Sequence, residues 1–202
     1  MRLYLILFFL LFANIESAAQ NFDANILKSV NTNRNKSLDN AFKFITNSVA
    51  PIAIGSSFIT LGTGYLKKDK ALQLKGWEAT ASIFIATGTG YVMKRIIQRN
   101  RPFVDYSFID PYKPYTDFSF PSNHSTIAFA AATSMAINFK KWYVVVPAYG
   151  WATLVAYSRM HLGVHYPTDV MAGAVLGSGT AILTHKANQW LQKKKTKKFI
   201  SH

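Results

Sequence analysis

Apolar residues recur at helical spacing along most of this chain, and the strict alternation that marks half-buried strands is sparse. From Asn21 to Asn47, Phe22, Ile26 and Val30 and then Leu38, Phe42 and Ile45 define short amphipathic helices lying outside or on a membrane. Five longer apolar stretches follow, at about Ser48 to Leu66, Trp77 to Met93, Ser125 to Phe139, Trp142 to Tyr157 and Val170 to Thr184. Each is near or below the roughly 20 residues that cross a bilayer. All are rich in Gly, Ala, Ser and Thr, which lets helices pack closely in lipid but also occurs in soluble helical cores. The pattern predicts an all-α helical bundle, with five membrane-spanning helices in the mature chain plus the amphipathic N-terminal helices.

The first residues read differently. Met1 and Arg2 lead into an apolar run from Leu3 to Ala13, and Ser17, Ala18 and Ala19 supply the small residues that signal peptidase selects. The expected organisation is a secretory signal over 1–19, cut after Ala19, an amphipathic segment over 20–47, one helical domain over 48–190 and a basic tail over 191–202. A chain of 202 residues offers little room for a second core.

Charge settles the orientation of this bundle. The 23 Lys and Arg against 9 Asp and Glu leave a formal charge of +14, which suits anionic partners. The excess lies in clusters: Lys67 to Lys75 follows the first apolar stretch, Lys140 and Lys141 the third, and Lys193 to Lys198 the fifth. All three fall on one side of a five-helix bundle, the cytoplasmic side by the positive-inside rule, so the loops after the second and fourth stretches face outward. This places the protein in a bacterial inner membrane with those loops in the periplasm; a soluble periplasmic bundle is the alternative, since the mean hydropathy of +0.08 is low for a membrane protein. No continuous basic face with interleaved aromatics is present, which argues against nucleic acid. The absence of cysteine excludes disulfides, thiolate zinc sites and thiol nucleophiles.

Three polar clusters carry candidate chemistry. In KRIIQRNRP, Lys94, Arg95, Arg99, Arg101 and Pro102 stand together; Lys94 and Arg101 are two helical turns apart, so both project from one face towards a shared anion, and Pro102 ends the helix. In PSNH, Pro121 and Ser122 mark a helix start, whose free N–H groups seat a phosphate, with Asn123 and His124 at its edge. In SRMHLGVHYPTD, Arg159 offers a planar donor fork, His165 a nitrogen nucleophile and Asp169 a carboxylate to orient it. The spacing of four among His161, His165 and Asp169 also suggests a metal site, but Pro167 interrupts the helix that spacing needs. His161 reads as structural or substrate-lining.

In order and internal spacing these clusters resemble the signature of the type 2 phosphatidic acid phosphatases: KX6RP, PSGH and SRX5HX3D. The resemblance runs from Lys94 to Asp169 and departs at Asn123, where the family usually has Gly; Asn tolerates left-handed backbone, which would preserve the turn. It implies that Lys94, Arg101 and Arg159 hold the phosphate oxygens, with Ser122 and the backbone around Asn123 adding hydrogen bonds. His165 would form a phosphohistidine, His124 would protonate the leaving oxygen and later activate water, and Asp169 would orient His165. No cofactor or metal is implied, because three cations neutralise the phosphoryl oxygens. The implied substrate is a phosphorylated lipid, mono- or diphosphate; the alternatives are a soluble acid phosphatase, a vanadium haloperoxidase or a non-catalytic binder of anionic lipid. Oligomeric state is left open.

Overall fold

The computed structural model describes residues 21–32 and 34–200, and among them every regular element is helical. The expected leader over 1–19 and the tail side chains beyond Lys194 lie outside the described residues. A leading helix over 21–27 runs into a π-helical turn at Lys28–Thr32, and a 3-10 turn follows at Lys36–Leu38. Then come α1 (Asp39–Asn47), α2 (Val49–Leu66), α3 (Lys70–Ile97), the single turn α4 (Pro102–Asp105), α5 (Asn123–Phe139), α6 (Trp142–His161) and α7 (Pro167–Ile200). The all-α expectation holds, and the five apolar stretches become α2, α3, α5, α6 and α7. Among the described residues one stretch, the 31 residues Lys36–Leu66, is both long and apolar enough to cross a membrane. Hydropathy therefore does not by itself carry five crossings.

Local signals set the helix ends. Asp69 starts α3 by accepting the Leu72 N–H at 3.1 Å, which satisfies one of the donors a helix start leaves unpaired. Gln98 and Lys140 terminate α3 and α5 in left-handed backbone, with φ of 50° and 52°, and donate their N–H groups back to Lys94 and Ala136.

Helix α5 is the hub, packed on α2, α3, α6 and α7. Its inward positions are small: Thr126, Ala128, Ala130, Ala131, Ala132 and Thr133 are all buried. Helix α7 approaches so closely that a Cβ at Gly177 would strike the Thr126 carbonyl, so this contact exists because no side chain is there. Several buried hydroxyls are satisfied within their own helices, as Ser57 donates to the Ala53 carbonyl at 3.0 Å and Ser82 to the Glu78 carbonyl at 2.8 Å. The large apolar side chains point the other way. Phe58, Ile59, Phe84, Val146, Val175 and Leu183 are exposed on the outer faces, the reverse of a water-soluble bundle.

Residues 21–47 pack onto the end of the bundle where the α3–α4, α4–α5 and α6–α7 connections meet. Leu27 is fully buried against Ile109 and Tyr166. Asn31 accepts from the Asp110 N–H at 2.9 Å and donates to the His161 carbonyl at 3.0 Å. Arg34 pairs with Asp39 and Asp110. The segment is thereby part of this end of the molecule.

Candidate active site

His165 sits on the short connection from α6 to α7. Gly163 makes the connection possible with φ of 70°, and a Cβ there would press on the Asn31 amide and the Asp110 carbonyl. Pro167 then opens α7, as its fixed φ favours, and puts Asp169 in the first turn. Asp169 Oδ2 accepts from the Tyr166 N–H at 3.0 Å and lies 3.3 Å from His165 Nδ1. That carboxylate selects the tautomer protonated at Nδ1 and leaves the Nε2 lone pair free. Nε2 in turn lies 3.4 Å from Arg101 Nη1.

Lys94 and Arg101 converge, but not along a helix face. Helix α3 stops at Ile97, and Pro102 begins α4 with Arg101 as its N-cap, so the expected two-turn spacing within one helix is corrected. The chain turns back instead, pinned where Ser119 donates its N–H to the Arg99 carbonyl and its hydroxyl to the Asn100 carbonyl, both at 2.8 Å. Lys94 donates to the carbonyls of Phe118 and Ser119. Arg101 donates to the Val164 carbonyl at 2.7 Å and the Asp117 carboxylate at 2.6 Å, and that carboxylate also lies 3.4 Å from Lys94. Burial, aided by the Arg101 charge and opposed by Asp117, holds the Lys94 ammonium down at about 8.

Arg159 is 1% exposed. One Nη donates to the Thr46 hydroxyl at 2.7 Å, and the guanidinium lies 5.5 Å and 6.0 Å from the ring centroids of Tyr115 and Tyr112. Its Nε is buried without a hydrogen-bond partner, and no carboxylate pairs with it among the described residues. A buried charge without an opposite partner costs several kcal/mol, so an anion placed against Arg159 would be stabilising.

Ser122 caps α5 as its position suggests: its Oγ accepts from the Ser125 hydroxyl at 3.0 Å, and its own N–H donates to the Asp169 carbonyl at 3.1 Å. Asn123 is the first residue of α5, so its tolerance of left-handed backbone is not drawn upon. Its side chain instead lies over Gly90, with Oδ1 buried and unpartnered. His124 follows in the same first turn. Burial, then Arg159, Arg101 and Lys94, hold its imidazole down at about 3; burial and the same cations also push His165 down. Both rings are therefore neutral near pH 7.

His161 is structural: its Nε2 meets Asp39 Oδ1 at 3.0 Å and its ring packs 4.2 Å from Phe42. It and His165 face different partners, and among the described residues no three His, Asp or Glu side chains gather as metal ligands would. Several residues of this end carried no sequence signal: Asp23, Thr46, Tyr112, Tyr115 and Asp117. Arg99 stood in the basic string, but nothing in the spacing distinguished it from a solvated helix end.

Three cations whose charges act on one imidazole backed by a carboxylate, gathered at one end of an all-helical bundle, have the residue types that phosphoryl transfer calls for. Residues 75–193 match the PAP2 superfamily, and the chain belongs to that superfamily, as a phosphate-ester hydrolase. It is 31% identical to an undecaprenyl-diphosphatase of Sulfolobus acidocaldarius over 81% of this chain and 77% of that one. It is 37% identical to a decaprenylphosphoryl-5-phosphoribose phosphatase of Mycobacterium tuberculosis, over 50% of this chain and 54% of the relative. Among solved structures, a transmembrane PAP2-type phosphatidylglycerolphosphate phosphatase from Bacillus subtilis superposes with a TM-score of 0.71 at 28% identity, covering 93% of this chain and 95% of the other.

Proposed function

We propose that this protein hydrolyses a lipid phosphate or diphosphate, without a metal, through a phosphohistidine formed on His165, and that its pocket opens on the periplasmic side of a membrane. The observation that carries this reading is Arg159, a buried guanidinium with an unpartnered Nε beside a neutral imidazole. A phosphoryl group supplies the missing negative charge. His165 Nε2 attacks phosphorus while the bond to the leaving oxygen breaks, and Lys94, Arg101 and Arg159 take up charge on the non-bridging oxygens. Ser122 and the backbone around Asn123 add hydrogen bonds. His124 protonates the leaving oxygen and later takes a proton from the water that cleaves the P–N bond. Burial and the neighbouring cations hold His124 neutral, and a bound phosphate dianion offsets the cations and so favours its protonated form.

The outward faces rich in Phe, Ile, Val and Leu support a membrane setting in which the apolar stretches 48–66, 77–93, 125–139, 142–157 and 170–184 cross, leaving Lys94, His124 and Asp169 outside them, as does likeness to a structure described as transmembrane. The lysine clusters at the opposite helix ends support the outward-facing pocket. Two relatives named for polyprenyl substrates point to that lipid class. Phosphate release from polyprenyl and glycerolipid phosphates and diphosphates and from water-soluble esters, with and without EDTA, tests the reading. The lipid phosphates are expected to turn over fastest, with EDTA having no effect. Activity lost to EDTA and regained with metal would sink the mechanism, and faster turnover of water-soluble esters by protein recovered without detergent would favour a soluble acid phosphatase.

The pH profile offers a second check. Lys94 binds phosphate only while charged, and its environment brings loss of that charge down from the ordinary lysine range to about pH 8. The kcat/KM of the wild type is expected to fall above about pH 8, and Lys94→Arg to remove that limb even where it lowers the overall rate. A wild-type profile flat beyond pH 9 contradicts the role.

A further inference from the structure

We propose that Asp23 is a positioning residue for hydrolysis, fixing Asp169 behind His165 by way of Arg99 and Thr168. The inference rests on the His165 reading above. It assigns a part in the reaction to a residue outside the span 75–193 that the family comparison matches.

The geometry is a closed chain of contacts. Arg99 bridges two buried carboxylates, with one Nη 2.7 Å from Asp169 Oδ1 and the other 2.6 Å from Asp23 Oδ2. Its guanidinium lies 3.8 Å from the Tyr166 ring centroid, so the fork cannot swing freely. Asp23 also receives the Thr168 N–H at 2.9 Å and the Thr168 hydroxyl at 2.5 Å, which caps the start of α7 from the leading helix. Asp23 is 1% exposed and Asp169 is 0% exposed. Each oxygen of Asp169 is thus engaged: one by Arg99, the other by the Tyr166 N–H and His165.

The charges show why a second carboxylate belongs there. Asp169 serves His165 by holding its Nδ1 proton and by stabilising the positive charge that grows on the ring as Nε2 bonds to phosphorus. A guanidinium paired with Asp169 alone would withdraw much of that charge. Asp23 takes half of the fork, so Arg99 grips Asp169 while its own charge is balanced. The groups facing Asp169 are then His165 from the α6–α7 connection, Arg99 from the α3–α4 connection, Lys94 from α3 and Asp23 from the leading helix. Burial raises the Asp169 carboxyl to about 6, Arg99 opposes the rise and Asp23 adds to it.

Asp23→Asn preserves shape and a partner for the Thr168 hydroxyl while removing the charge. In full-length protein assayed with a polyprenyl diphosphate in detergent micelles, it is expected to lower kcat by about 10-fold to 100-fold and leave KM within about twofold. Activity needs Asp169 ionised, so the acid limb of kcat/KM falls as pH drops through the Asp169 pKa. Without the Asp23 charge that pKa is lower, and the limb moves to lower pH. Asp23→Glu is expected to restore part of the rate. Wild-type kcat in Asp23→Asn overturns the proposal, and so does an equal loss at every pH with the limb unmoved, which is the mark of a merely structural contact. Should Asp23→Asn not fold, as judged by thermal unfolding, Arg99→Lys carries the test, since it keeps the charge but loses the fork; there, lowered kcat at unchanged KM supports the proposal and wild-type kcat overturns it. A wild type that releases no phosphate removes the hydrolase reading and this inference with it, whereas an active wild type with an unaffected Asp23→Asn removes the inference alone.

Discussion

Replacing His165 by alanine is expected to lower phosphate release by on the order of 10⁴-fold and to leave a folded protein. The size follows from its place in the proposed reaction, in which it forms the covalent bond. His124 stands on α5 with no carboxylate hydrogen-bonded to it among the described residues, whereas His165 has Asp169 at 3.3 Å. The fold survives because the corner is held by other groups, namely Gly163, Pro167 and the Tyr166 N–H donating to Asp169. The variant keeps the three cations, so it is expected to bind substrate with nearly unchanged affinity, and the loss appears in kcat. Trapping with labelled substrate checks the intermediate: acid-labile phosphate is expected on the wild type and on His124→Ala, and absent from His165→Ala. Labelling that persists in His165→Ala removes the nucleophile assignment.

Arg159→Met is expected to abolish activity and at the same time stabilise the protein. The guanidinium is buried beside the Thr46 hydroxyl and the side chains of Tyr112 and Tyr115, with an orphaned Nε and no carboxylate partner among the described residues, so in the absence of an anion its desolvation is only partly offset. Methionine fills a similar volume and has no charge to desolvate. Replacement of buried charged groups by apolar ones is often stabilising by about 1–4 kcal/mol, and a gain of about 1–2 kcal/mol in phosphate-free buffer is the expectation here. The rate is expected to fall by about 10³-fold, because a bidentate donor to the developing charge is lost. Thermal unfolding with and without inorganic phosphate separates the two effects: phosphate is expected to raise the wild-type midpoint and to leave that of Arg159→Met unchanged. A destabilised variant, or one still protected by phosphate, contradicts the role given to Arg159.

What the sequence disclosed was whatever is written as spacing within one segment. Helix type and count for α2, α3, α5, α6 and α7 were legible from apolar periodicity, and the three polar clusters from their residue types and intervals. The Lys94–Arg101 geometry was misread because heptad spacing was taken as an uninterrupted helix; left-handed Gln98 breaks it, and no local rule marks Gln there. Asn123 was read for its backbone tolerance, but it opens α5 in ordinary helical backbone and its side chain lies over Gly90. The roles of Asp23 and Thr46 were invisible because their partners, Arg99, Thr168 and Arg159, lie between 76 and 145 residues away. Such contacts are made by tertiary folding, which periodicity does not record.

The small-inside, large-outside arrangement of the helices has a consequence for how this chain tolerates change. In a water-soluble bundle the interior accepts exchange among bulky apolar residues while the exterior must stay polar. Here the greasy perimeter at Phe58, Ile59, Phe84 and Leu183 can drift among bulky side chains, whereas Gly177, pressed on the Thr126 and Ala130 backbone where α7 meets α5, has no room for even one added methyl. Freedom to vary is thus least where a helix presents no side chain to its neighbour, as at Gly177, and not at glycines such as Gly55 or Gly150 that face open space.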